Sequence, residues 1–434
     1  MLKKLKELYW DLPIISVEKK EKVFYLIRDV VKGKNKINDN DKDVLSLYKD
    51  QIMRVPNSTS KEFYRSITDD PYERKSDDIK LFSFYLPQMY PTKENDSWWG
   101  KGTTEWNNVC RAVPNFIGHY QPRLPGELGY YDLRILDNIK RQVELAKMYG
   151  VFGFCFYYYW FDGKRLLDKP LDMFVDNTDI DFPFCLCWCN ESWTSAFVSG
   201  GASNVIMKQS STEESYRNFI HDFSKYLADE RYYSINGKKV ILIYRVQDVP
   251  NAKSVLDYWR KYCRENGFGE LYIIGCWRAG EPYDALEKGF DAVFEFQAAS
   301  IVKYCDLIND EIQFACDKFS GEIYSYKDVV EKEIYKKNYE KEKLYHSIFP
   351  MWDNTPRRNN RNATIFHEAT PELYKQWLKE LINDNKKRID IDDNLGFINS
   401  WNEWGEGSYI EPDKYYGYAY LNATKEAIEE SRKE

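Results

Sequence analysis

The sequence predicts an α/β chain folded as a (β/α)8 TIM barrel with a small helical N-terminal extension, and three observations carry that expectation. From Ile79 onward eight short, continuous apolar runs recur; stretches of helical period lie between them; amides, acids and indoles collect just after the runs. Continuous rather than alternating apolar runs mark strands covered on both faces, the pattern of a parallel sheet wrapped in helices. No G-x-G-x-x-G or G-x-x-x-x-G-K-S/T follows any run, so the commonest reason to prefer an open doubly wound sheet is missing.

Residues 1–78 are polar and charge-rich and read as a helical extension, with helical patterns at Glu21–Val31 and Asp43–Met53 and a linker-like segment from Pro56 to Asp78. Met1–Trp10 has the makings of a short basic amphipathic helix and is the candidate for peripheral membrane contact. Residues 79–434 are read as the barrel. Its strands are expected at Leu81–Leu86, Val151–Tyr159, Phe182–Trp188, Val240–Tyr244, Leu271–Trp277, Phe290–Phe296, Ser347–Trp352 and Leu395–Trp401. Helices are expected at Asp132–Met148, Ser215–Leu227, Val255–Asn266 and Pro371–Asp384; in the first, Leu133, Leu136, Ile139, Val143 and Ala146 keep the helical period. Two stretches are longer than a connection needs. The loop 89–125, with Trp98, Trp99, Glu105, Trp106, His119 and Tyr120, reads as a lid or substrate wall. The stretch from about 298 to 342, rich in Lys, Glu and Tyr, reads as an insertion after the sixth strand.

Composition narrows the function. An apolar share of 43% is ample for a large core, while an aromatic share of 17%, with 35 Tyr and 13 Trp, is unusual. Such side chains offer flat apolar faces with a polar tip, which suits sugar rings as well as core filling. A net charge of −7 argues against nucleic acid as a partner. Nine cysteines, an odd number in a long chain, do not make a disulfide framework. Cys185, Cys187 and Cys189 alternate along one strand and read as small buried filling rather than a metal site. The four histidines are scattered, so no metal is expected, and no organic cofactor either. No apolar run reaches the roughly 18 residues of a membrane span, and the start lacks the apolar core of a secretion signal. A cytoplasmic location is therefore expected.

In a barrel the functional face lies at the C-terminal ends of the strands. Reading those ends gives Tyr85 and Gln88, then Tyr159, then Trp188, Asn190 and Glu191, then Arg245, then Trp352, Asp353 and Asn354. The last strand leads into Asn402, Glu403, Trp404 and Glu406, and the loop 89–125 adds Trp99, Glu105, Trp106 and His119. Of Tyr157, Tyr158 and Tyr159, strand alternation lets either the outer two or the middle one face inward. The stretch LGFINSWNEWGEGSYIEPD (395–413) is the densest of these ends, setting Glu403, Glu406 and Glu411 among Trp and Gly. Acids in such surroundings are costly to desolvate. Two of them a few ångströms apart beside aromatic walls is what glycosidic-bond chemistry needs. Glu403 and Glu406 are the expected catalytic pair, and the other strand-end and loop residues the substrate contacts. The partner expected is an oligosaccharide, a polysaccharide or a lipid-linked glycan. A non-catalytic glycan-binding protein, in which the acids only hydrogen-bond hydroxyls, is the bland alternative.

Seven stretches carry a further likeness: FYLPQMYP (84–91), DSWWGKGTTEWNNV (96–109), GHYQPRLPGELGYYDLR (118–134), GFCFYYYWFDGKRLL (153–167), CWCNESWT (187–194), WDNTPRR (352–358) and NSWNEWGEGSYIEPD (399–413). They resemble the WbsX family, described as glycosyltransferases of bacterial surface-polysaccharide (O-antigen, capsule) biosynthesis. That family in turn resembles the endo-α-mannosidase family of retaining glycoside hydrolases, whose N-E-W-H-E-G-x-x-I-E motif is similar to Asn402–Glu411. The resemblance implies that Glu403 takes the proton of the donor sugar's 2-hydroxyl and that Glu406 protonates the leaving oxygen, through a 1,2-anhydro sugar. Gly405 departs from it, standing where the mannosidase motif has His, and Cys189 and Ser192 depart from a WANENW-like form. The family's usual description also implies a nucleotide-sugar-dependent glycosyltransferase as an alternative. Asp39/Asp41, Asp179/Asp181 and Asp390/Asp392 are then the Asp-x-Asp candidates for a metal-diphosphate site.

Overall fold

The computed structural model describes residues 40–194, 204–315, 319–358 and 362–433. The helical patterns expected at Met1–Trp10 and Glu21–Val31 lie outside the described residues. Six strands pair in parallel in chain order: β1 (Lys80–Tyr85), β2 (Gly153–Phe161), β3 (Phe184–Trp188), β4 (Lys238–Ile243), β5 (Leu271–Trp277) and β6 (Ala292–Glu295). β7 (Leu344–Tyr345) pairs with β6, β8 (Ser347–Ile348) pairs with β9 (Leu395–Ile398), and β9 returns to β1. The parallel sheet thus runs almost fully round on itself as a (β/α)8 barrel.

The seventh strand differs from expectation. It was expected at Ser347–Trp352; instead the barrel strand is the pair β7 and β8, interrupted at His346, and it stops at Ile348. Pro350 has no N–H to give a ladder. The apolar run therefore outlasts the strand, and Trp352–Asp353 joins a separate sheet with Thr364–His367 and Glu322–Ser325. Phe116, from the loop 89–125, is buried with Ile323, Ala363 and Ile365 in a small core of its own, so that loop and the 298–342 stretch support each other.

Helices cover the outside: Leu136–Met148, Lys169–Asp176, Glu213–Leu227, Ala252–Glu265, Pro371–Lys387 and Ala419–Ser431. Local chemistry sets where they begin. The Thr212 side chain accepts from the Ser215 amide, and the Thr370 side chain accepts from the Leu373 amide just ahead of Pro371. Outward residues of β3 feed this layer, with Trp188 stacked on Phe219 at 4.0 Å between ring centres. Inward residues fill the barrel. Phe84 (β1), Phe294 (β6) and Phe397 (β9) meet at 5.3–5.6 Å and Tyr157 (β2) stacks on Phe84 at 5.3 Å, which closes the floor beneath the barrel mouth. No helix among the described residues is long and apolar enough to cross a membrane.

Candidate active site

Above that aromatic floor lies a cleft of about 850 Å³, counting the part open to solvent. Tyr157, Tyr244 and Phe296 line its base; Trp99 and Glu105 come from the loop 89–125; Glu191 and Trp193 come from the segment after β3. Arg357, Glu403 and Glu406 complete it.

The two glutamates are delivered by a hairpin that follows β9. Asn402–Glu403 pairs antiparallel with Ser408–Tyr409, and the turn between them is a short 3-10 segment ending at Gly407, whose φ of 57° favours glycine. The hairpin is anchored at several points. The Trp401 amide donates to the Phe84 carbonyl at 2.8 Å, the Glu403 amide donates to Ser400 Oγ at 2.9 Å, and Ser400 Oγ donates to the Ser408 carbonyl at 2.7 Å. Asn402 spends its amide on β1: Oδ1 accepts from the Leu86 amide at 2.7 Å and Nδ2 donates to the Leu86 carbonyl at 3.0 Å.

One guanidinium organises the charge. Arg357 donates from Nη2 to Glu403 Oε2 at 2.6 Å, from Nη1 to Glu406 Oε1 at 2.6 Å and from Nε to Glu105 Oε1 at 2.7 Å. Burial outweighs even this cation at Glu403, and with the neighbouring Glu406 and Glu105 it pushes the Glu403 carboxyl up to about 8. Near neutral pH that favours the protonated form of Glu403. Burial also raises the Glu191 carboxyl, against the pull of Arg278 and Arg245. The departure at position 405 has a spatial cause. A Cβ at Gly405 would lie 1.5 Å from Glu105 Oε1 and 2.9 Å from Arg357 Nε, so the room a side chain would take is already filled by that pair.

Of the residues singled out in the sequence, Gln88, Trp99, Glu105, Tyr159, Glu191, Glu403 and Glu406 line the cleft together. The tyrosine alternation resolves to the outer two, because Tyr158 turns outward against Phe219 and Phe223. The others sit elsewhere. Tyr85 points to the helical layer and donates to Gln142 Oε1 at 2.7 Å, and Trp188 is in that layer too. Asn190 brackets the Arg245 backbone, accepting from its N–H at 2.7 Å and donating to its C=O at 2.9 Å, while the Arg245 side chain reaches Glu281 at 2.9 Å. Trp106 donates to the Tyr131 carbonyl at 2.8 Å; Trp404 stacks on Tyr409 and donates to Glu411 Oε2 at 2.6 Å. His119 and Gln121 both hold Asp353 Oδ2, at 2.7 and 2.6 Å, and Asn354 Oδ1 accepts from the Thr364 amide at 2.8 Å in the small sheet that also holds Trp352. Glu411 accepts from Trp404, Tyr131 and Gln142 beneath the hairpin, where burial pushes it up to about 7.

Arg357 was not singled out, and only its place in the WDNTPRR stretch marked it. Tyr244 and Phe296 close two of the expected strands and also line the cleft, though the sequence reading names neither as a site residue. Two of the three Asp-x-Asp pairs lie away from the cleft. Asp179 and Asp181, ahead of β3, pair with Lys140 and Lys147, while Asp390 and Asp392, ahead of β9, pair with Arg388 and Lys343. Those are N-terminal ends of barrel strands. Asp39 lies outside the described residues.

Comparison with known proteins agrees in kind. The family described as Glycosyltransferase WbsX matches residues 81–424. Two curated relatives, from strain B100 and a second strain of Xanthomonas campestris pv. campestris, are each described as uncharacterized protein WxcX. They are 37% identical over 353 residues, 80% of this chain and 49% of theirs, so the chain spans about half the length of the curated relatives it matches. A GH99 endo-alpha-mannosidase from Bacteroides thetaiotaomicron superposes over 83% of this chain and 99% of its own, with a TM-score of 0.51 at 15% identity. A glycoside hydrolase-like protein covers 84% of this chain and 98% of its own, with a TM-score of 0.51 at 16% identity. At such identities the likeness is one of fold.

Proposed function

The chain belongs to the WbsX glycosyltransferase family, and from that premise we propose that it makes or breaks a glycosidic bond of a bacterial surface polysaccharide by retaining chemistry through Glu403 and Glu406. One observation carries the reading: both acids face a single aromatic-walled cleft and are held by one guanidinium. Two carboxyls that share one guanidinium are near neighbours, and retaining enzymes set their two acids close together, whereas inverting ones leave room for a water between them. Trp99, Tyr159 and Trp193 offer faces for a sugar ring, and Asn95 contributes a buried Nδ2 with no hydrogen-bond partner among the described residues.

The family resemblance makes Glu403 the base toward the 2-hydroxyl and Glu406 the acid toward the leaving oxygen. Burial raises the Glu403 carboxyl, so Glu403 gives up its proton before it acts, and substrate binding selects that ionised form. With Glu403 ionised, it takes the 2-hydroxyl proton as that oxygen closes on the anomeric carbon, and Glu406 protonates the departing oxygen. Glu406, now ionised, then takes a proton from water or an acceptor hydroxyl, whose oxygen bonds to the anomeric carbon as the 1,2-anhydro C–O bond breaks, and Glu403 returns its proton to O2. Hydrolysis and transfer share this course and differ only in the second nucleophile.

The test is incubation with the producing strain's polysaccharide or its lipid-linked repeat, followed by product mass analysis. Glu406→Gln is expected to lose turnover on natural linkages yet still release an activated aryl leaving group, which needs no proton, with the second step then limiting the rate. Glu403→Gln is expected to lose both. Equal turnover by both variants and the parent would sink the reading.

A further inference from the structure

We propose, building on the reading of Glu403 and Glu406 as the reacting pair, that Arg357 and Glu105 form a positioning pair: Arg357 fixes each carboxyl by one oxygen, and Glu105 fixes Arg357. The three donating nitrogens of the guanidinium go to three different carboxyls at 2.6–2.7 Å. The contacts use Oε2 of Glu403 and Oε1 of Glu406. Among the described residues no other side chain donates to either group, so the second oxygen of each remains for substrate. A planar fork fits this task and a lysine point charge does not.

Glu105 is buried, and it comes from the loop 89–125, 252 residues from Arg357 in the chain. Its other oxygen accepts from Asn108 Nδ2 at 3.3 Å. The bare Cα at Gly405 leaves the space this contact occupies. The loop is therefore wired to the reacting carboxyls and does more than wall the cleft.

The surrounding charges make the proposal testable by sign. Glu403 faces Arg357, Glu406 and Glu105, together with Tyr157, Tyr159 and Cys189, whose hydroxyls and thiol burial keeps protonated. Glu406 faces Arg357, Arg358 and Glu191. Removing Glu105's charge leaves Arg357 less compensated, which favours ionised Glu403; removing Arg357's charge does the reverse.

The experiment follows the side-chain carboxyl ¹³C resonances of Glu403 and Glu406 against pH in the full chain, with no substrate present. Glu105→Gln is expected to lower the Glu403 midpoint and Arg357→Gln to raise it, each by about 1–3 units. Both are expected to reduce kcat far more than they change KM. Should Arg357→Gln fail to fold, Arg357→Lys carries that arm: its single ammonium cannot span three carboxyls, so a smaller rise and the same fall in kcat are expected. Midpoints that stay put, or move the same way in both arms, overturn the positioning pair. Opposite shifts combined with full turnover by Glu403→Gln overturn the functional reading alone.

Discussion

Glu403 holds a proton because burial costs its charged form more than one shared guanidinium returns. A glutamine is then a close stand-in for the resting state, since the Arg357 contact uses Oε2 and leaves Oε1 free for an NH2 group. Glu403→Gln is accordingly expected to keep the parent's denaturation midpoint while turnover falls by about 10²–10⁴; a large drop in midpoint would contradict the protonated resting state. Gly405→Ala should do the opposite. Its added Cβ collides with Glu105 Oε1, and the expected loss, about 1–3 kcal/mol by urea titration, comes with loss of turnover. Strand-end reasoning brought Glu191, Glu403 and Glu406 to one place. It missed Arg357 because a basic run such as PRRNNR reads as solvated surface, and nothing local in it announces three acids brought together from elsewhere in the chain. It also placed Trp188 and Tyr85 at the cleft although strand alternation turns both outward.

At the scale of elements, the hairpin after β9 depends on Asn402, whose side chain satisfies both backbone groups of Leu86 at the end of β1. Asn402→Ala leaves those buried groups unpaired, at about 1–3 kcal/mol, and lets Glu403 drift from Arg357. Lower stability and lower kcat together are expected, while a variant with unchanged kcat would show that the hairpin is held without this clamp. Continuous apolar runs made the barrel strands readable. They misplaced the seventh because burial continues past Ile348 into a second small core, whereas ladder pairing stops. Burial and pairing leave the same mark in sequence, and only Pro350 hinted at the difference.

Across the whole molecule, buried acids set how stability depends on pH. Glu403 and Glu295 are pushed up to about 8 and Glu411 to about 7, all chiefly by burial, against roughly 4.3 for an exposed glutamate. Between those values the folded chain binds more protons than the unfolded one, so this contribution is present in full below about pH 4 and drains away as pH rises through 7–8. Opposing it, Asp78 and Asp390 are held near 2. For Asp78, burial is outweighed by the bonds from Arg432 and Tyr72, and for Asp390 the bond from Arg388 leads; their contribution is lost only in acid. Chemical denaturation is expected to show stability falling from pH 5 to pH 9, with a shallower fall in Glu403→Gln. A rise over that range would contradict the burial assigned to these acids.

The most direct measurement follows the anomeric configuration of the first product by ¹H NMR in an incubation with the producing strain's polysaccharide. Retention in the parent, lost with turnover in Glu403→Gln, is the result expected from two acids sharing one guanidinium in one cleft. An inverted first product, or retained product formed at full rate without Glu403, would contradict the account.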